Sequence, residues 1–341
     1  MKKITAIILL LSLCLSLSAC RSDKTPSDTV NTQPSDGEIT VDPNGTFGEE
    51  ITSKNKLSDS TDTDSRGGVF RTVDEGDYGF AVYEDSGKVS VYAYYGSEKN
   101  VTTPYKFNGT TVTEIFGGAF ARSSIVSVAV SEGVSYIGEG AFTGSQLLES
   151  VTLPSTVTEI YDGAFYGCPK LQNIKGISGI RTLGGFVFNE TPWYDAISDE
   201  FAVIGDGILI KYGGEGGNVK IPDGVKTVVS AFRNRTDVTG TEFPDSLTEI
   251  GYGAFDGCTG LRAVTIPDSV KKIGIGSFAN CTSLEEVTFG GGVTEIGQSA
   301  FLSCDAIAKV KYAGSESDWE KLSIGEGNEK LTDAAREYGA K

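Results

Sequence analysis

The sequence predicts a mainly β solenoid stacked from about eight coils of 22–23 residues. Two observations carry that class. The phrase Leu247 to Val270, LTEIGYGAFDGCTGLRAVTIPDSV, returns as VKKIGIGSFANCTSLEEVTFGGGV and again as VTEIGQSAFLSCDAIAKVKYAG. Its phenylalanines, Phe120, Phe142, Phe165, Phe188, Phe232, Phe255, Phe278 and Phe301, fall 22, 23, 23, 44, 23, 23 and 23 residues apart. A unit this short cannot bury its own apolar face, whereas stacked copies share one continuous core.

Each coil reads as strand, turn, Phe corner, strand. An apolar pair three apart, such as Val270/Ile273 or Val293/Ile296, opens it as a short strand, and the Phe follows five residues later after a glycine-rich corner. A second strand carries the alternation Val264/Ile266, Val287/Phe289 and Val310/Tyr312, with Thr265, Thr288 and Lys311 pointing the other way. Pro154, Pro222, Pro244 and Pro267 close that strand in one register, where a missing N–H is tolerable.

The phrase IGYGAFDGCTGLRAVTIP resembles the leucine-rich repeats of the BspA-like type, and the resemblance runs from about Gly109 to Tyr312. It implies a leucine-rich-repeat solenoid from an extracellular, often cell-surface, bacterial protein used for adhesion or recognition. It implies no enzymatic activity.

The start of the chain, MKKITAIILLLSLCLSLSAC, has a basic end, an apolar run and small residues before a cysteine. Residues 1–19 resemble a bacterial lipoprotein signal, with Cys20 the lipidated N-terminus after cleavage. The run from Ile7 to Leu17 is shorter than the ~20 residues a spanning helix needs. Residues 20–66 are rich in Ser, Thr, Asp, Asn and Pro and read as a disordered tether. Such a tether reaches, root-mean-square, on the order of 35–40 Å from the lipid.

Residues 67–107 hold two alternating runs around Asp85-Ser86-Gly87, a β-hairpin that caps the exposed edge of the first coil. The solenoid then spans 108–312. Between Phe188 and Val225 it is interrupted by about one extra coil, with an insert at about 189–218. FAVIGDGILIKY is expected to form a hairpin turning at Asp206-Gly207 and pairing Val203 with Ile210. The insert is either a replacement coil or a binding protrusion centred on Trp193 and Tyr194. Residues 313–341 leave the repeat, and Ser315 and Asp318 precede a short helical cap with Trp319 and Leu322 on one side.

The chain carries 29 basic and 46 acidic residues, a formal charge of −17. Phosphate binding draws on clustered Lys and Arg, so a nucleic-acid role is not expected. The absence of histidine removes Ser-His-Asp and Cys-His catalysis and every His-dependent zinc site. Cys168, Cys258, Cys281 and Cys304 each lie three residues after a repeat Phe. Neighbouring coils are close enough for disulfides, but the last three cannot all pair, so a column of buried thiols with raised pKa is expected. The glycine phrases GEGAFTG and GYGAFDG lack the P-loop lysine. DTDSRG echoes part of a calcium loop but places Arg66 where an oxygen ligand is wanted. Glu114, Glu159, Glu249 and Glu295 read as a solvated ladder on the first strand. No catalytic residue, metal site or cofactor is expected.

What remains is a surface for binding. The outward positions of the second strand include Thr152, Lys175, Glu242, Thr265, Glu286, Thr288, Lys309 and Lys311, a small, polar row in which recognition can vary without disturbing the core. Trp193 and Tyr194 are the competing site. The expected partner is a host or bacterial-surface protein, and a glycan is the alternative, although only Trp193, Tyr194, Tyr92, Tyr94 or Tyr95 could stack on a sugar. An envelope component without a ligand is the remaining reading.

Overall fold

In the computed structural model, residues 50–51, 56–58, 60–64 and 66–339 are described. The expected signal at 1–19, Cys20 and most of the tether lie outside them.

The repeat spacing becomes strand register. Ile137 pairs with Ile160, Ile250 with Ile273 and Ile273 with Ile296, all parallel. Among the described residues eleven such rungs occur in two sheets: Val89–Tyr94, Thr110–Ile115, Tyr136–Ile137, Glu159–Ile160 and Thr182–Leu183 in the first, and Ile208–Tyr212, Thr227–Val228, Glu249–Ile250, Lys272–Ile273, Glu295–Ile296 and Ser323–Ile324 in a second, seven-stranded one. Counting phenylalanines gives eight, because three rungs carry no Phe corner. In two of them a tyrosine stands in. Tyr94 stacks on Phe120 at 5.1 Å, and Tyr212 meets Phe232 at 4.8 Å.

The core is a column of rings. Phe120, Phe142, Phe165 and Phe188 stack at 5.0, 5.1 and 5.9 Å, and Phe232, Phe255, Phe278 and Phe301 at 4.8, 5.2 and 5.2 Å. These spacings match the ~4.8 Å between paired strands, so ring stacking and ladder bonding share one pitch. That match is why the corner residue is a planar ring. The glycine after the first-strand isoleucine answers a different demand: a Cβ on Gly274 would lie 2.7 Å from the carbonyl carbon of Gly251 in the coil before.

The cysteine column has a hydrogen-bonding reason. Cys168, Cys258, Cys281 and Cys304 donate Sγ–H to the carbonyls of Phe142, Phe232, Phe255 and Phe278, at 3.2, 3.0, 3.2 and 3.0 Å. Each bond ties a corner to the one before it. Where the column lacks a cysteine, other donors take the place: Ser145 Oγ bonds Phe120 O at 3.0 Å, and Arg235 Nη1 bonds Tyr212 O at 3.1 Å. All four thiols are free and buried. Burial pushes the Cys168 thiol up to about 11 and the Cys258 thiol up to about 12.

Several expectations need correction. The N-terminal cap is more than a hairpin, since Val69–Glu75, Tyr78–Tyr83 and Val89–Tyr94 form an antiparallel meander. The tether expected to reach residue 66 is partly held: Glu50–Ile51 pairs with Lys106–Phe107, and Asp62–Thr63 pairs with Val69–Phe70. Glu114 is not solvated. It is 3% exposed and meets Arg66 at 2.7 Å, Lys88 at 3.5 Å and Ser90 Oγ at 3.1 Å, while the Arg66 guanidinium lies 4.4 Å from the centre of the Tyr136 ring. The Asp64 carboxylate of the calcium-like phrase is taken up by Arg66, Tyr83 and two backbone N–H groups.

The insert hairpin pairs Val203 with Leu209, not Ile210, because the register shifts between Ala202 and Val203. At the other end the expected helix is short, Glu316–Trp319, held by a Ser315/Asp318 capping box with Trp319 buried. The cap then continues both sheets, with Ser323–Ile324 on one and Ala335–Tyr338 on the other. A solenoid end is thus covered by one further, degenerate coil.

Candidate binding surface

The second strands do not make one sheet. Asn100–Thr102, Ser127–Ala129, Ser150–Thr152 and Asn173–Lys175 form the first, Gly217–Lys220 and Val238–Glu242 the second, and Ala263–Ile266, Glu286–Phe289, Lys309–Tyr312 and Ala335–Tyr338 the third. The expected face is therefore divided. Thr152 and Lys175 are cross-strand neighbours on the first sheet, and Glu242 sits opposite Lys220 on the second. Thr265, Thr288 and Lys311 share one row of the third, with Glu286 and Lys309 in the row beside it. Lys220 was legible and missed, since the phrase NVKIP already placed it in the proline register beside Glu242.

Alternation supplies the outward rows: Val264, Val287 and Val310 are buried while Thr265, Thr288 and Lys311 are not. The charges on the third sheet are paired among themselves. Lys311 meets Glu286 at 2.7 Å, and Lys309 meets Glu337 at 2.8 Å. The hydrogen bond from Lys309 holds the Glu337 carboxyl below its ordinary value, and Glu337 in turn raises the Lys309 ammonium. Both partners are solvated, so these pairs order the surface more than they stabilise it.

The insert buries more than expected of a protrusion. Thr191 Oγ1 accepts from Tyr194 N and caps the short helix Pro192–Asp195. Trp193 packs on Phe188 at 4.8 Å, so it closes the first ring column. Tyr194 donates its hydroxyl to Ile210 O at 3.0 Å, and burial pushes that hydroxyl up to about 12. The Lys211 ammonium donates to the carbonyls of Tyr194, Asp195 and Ile197, the end of the helix where a cation is favoured. Trp193 remains half-buried beside an open depression of about 300 Å³.

Two of the three cap tyrosines are committed to ring packing. Tyr92 packs on Phe70 and Phe116, and Tyr94 on Phe120. Only Tyr95 is well exposed, at 59%, and its hydroxyl bonds Asp74. Among the described residues no helix is long and apolar enough to cross a membrane.

A family model, the BspA type leucine rich repeat region, matches in six copies over residues 88–207 and 212–323. The search of curated proteins returned no match. Among solved structures, a leucine rich repeat protein of T. pallidum is 25% identical with a TM-score of 0.38, over 62% of this chain and 90% of that one. A leucine rich cell surface protein from Faecalibacterium prausnitzii is 21% identical with a TM-score of 0.34, over 75% and 98%. The pneumococcal vaccine antigen PcpA is 16% identical with a TM-score of 0.34, over 83% and 98%.

Proposed function

This chain belongs to the BspA type leucine-rich-repeat family, and on that premise we propose that it is a non-enzymatic binding protein displayed outside the cell on a lipid anchor at Cys20. Its partner is a protein of a host or bacterial surface. One observation carries the reading: the outward rows of the second strands are polar, in register and uncoupled from the ring column that holds the fold. A surface of that kind changes its composition at little cost to stability. The third sheet, with Glu286, Thr288, Lys309 and Lys311, is the favoured face.

Two experiments test it. Cys20→Ala removes the acceptor thiol, and cells fed labelled lipid then show no label on the chain; equal labelling of the variant contradicts the anchor. For binding, the chain is used to capture proteins from host and bacterial surface extracts. Reversing the charges at Glu286, Lys309 and Lys311 together weakens capture and leaves the melting temperature nearly unchanged. Undiminished capture by the triple variant removes the face from the account.

A further inference from the structure

The insert leaves one strand with a free edge. Phe201–Ile204 is the terminal strand of the seven-stranded sheet and pairs with Ile208–Tyr212 alone. Among the described residues, 201–204 make no other backbone hydrogen bond. An edge of this kind presents unpaired N–H and C=O groups as a template for another chain, and proteins commonly protect it with Lys or Pro. This strand, Phe-Ala-Val-Ile, has neither.

The depression of about 300 Å³ lies along that edge. It is lined by Trp193, Ile197, Asp199 and all four residues of the strand. Successive strand residues point to opposite faces, so a hollow touched by four in a row follows the backbone edge. Its apolar content is available, since Val203 is 44% exposed and Trp193, Ile197 and Phe201 are half-buried. Its one charged lining residue is acidic: Asp199 is exposed, as is Asp195 four residues before it, whereas the Lys211 ammonium is engaged by three backbone carbonyls.

We propose that Phe201–Ile204 is a strand-addition site for an extended, cationic segment of a partner protein. The segment pairs its backbone with the free edge, sets apolar side chains against Val203 and Trp193, and places a Lys or Arg side chain toward Asp199. Main-chain bonds supply affinity and the alternate side chains supply selection, as in other strand-addition sites. The site is separate from the second-strand face and stands without it.

The test uses the whole chain and a fluorescent peptide of alternating Lys and Val, at physiological salt. Saturable binding is expected. Val203→Lys, at an exposed position, weakens it about tenfold or more with an unchanged circular dichroism spectrum. Two N-methylated peptides give a readout that leaves the protein untouched: methyls on one alternating set of amides abolish pairing, and methyls on the other set spare it. Hydrogen exchange slows at 201–204 when peptide is bound. Charge reversal at Glu286, Lys309 and Lys311 leaves peptide affinity unchanged. Equal binding of both methylated peptides, or of Val203→Lys, reduces the effect to attraction by an acidic protein and overturns the proposal. Loss of binding in the triple variant moves the peptide to the strand face and overturns it equally.

Discussion

Phe255→Ala tests the ring column where it is most complete. Phe255 is fully buried, stacked on Phe232 at 4.8 Å and Phe278 at 5.2 Å, and met edge-on by Phe243 at 5.8 Å. Truncating a buried Phe costs roughly 3–5 kcal/mol in lost transfer energy and cavity. Three ring pairs, each worth about 0.5–1.5 kcal/mol beyond area, place this site at the upper end, near 5 kcal/mol. Coils contact only their neighbours, so the loss falls on the coils of Phe232, Phe255 and Phe278. The buried core also divides at the insert, one cluster running to Ile210 and Val229 and the other starting at Leu209 and Tyr212. Urea unfolding of the variant should then separate into two transitions, the C-terminal one shifted down by about 1.7 M for a slope of about 3 kcal/mol/M. Hydrogen exchange should show coils 227–312 opening before coils 110–188. Ile275→Ala, at a residue 49% exposed on the same stack, is the control and should cost less than about 0.5 kcal/mol. If both variants shift the midpoint equally, the column does not carry the fold.

Further outcomes follow from the same contacts. Cys258→Ser keeps a donor to Phe232 O and should be nearly neutral, as Ser145 already does this work, whereas Cys258→Val leaves that carbonyl bare and should cost about 1–3 kcal/mol in thermal melts. The raised thiols bind protons more tightly in the folded chain, so their contribution is complete below the ordinary thiol value of 9.0 and declines as pH rises toward about 11 for Cys168 and about 12 for Cys258. Melting curves should fall across that window, and removing these two cysteines should flatten the fall. Arg66→Ala leaves Glu114 buried with Lys88 and Ser90 only, and should cost about 1–3 kcal/mol, with residues 60–64 newly open to proteolysis. Unchanged cleavage would show that Arg66 does not pin that segment.

The sequence made the coil legible because one pitch governs three things at once: ladder register, ring stacking and the thiol-to-carbonyl bond. Each leaves a mark every 23 residues, at Ile273, Phe278 and Cys281 in one copy. Two of the rungs it hid are those where a different residue does the same job. Tyr94 and Tyr212 each replace a Phe, and the spacings of 24 and 20 residues, from Phe188 to Tyr212 and on to Phe232, divide the irregular step of 44. Glu114 was misread for a related reason. Its spacing matches Glu159, but Arg66 covers it from outside the repeat, and no periodic signal reports such a contact. The second-strand face was legible as alternation and illegible as continuity, since the breaks between its three sheets leave no mark in the pattern.

If an outward second-strand row meets a partner while the rings behind it hold the fold, contact with that partner is confined to the row. A photo-crosslinking residue at Thr288, on that row, and another at Gln298, exposed at the Phe corner, compare the two surfaces in one protein. On intact host or bacterial cells, a discrete protein adduct is expected from position 288 and none from 298. Adducts from 298 alone, or equal smears from both, would contradict it.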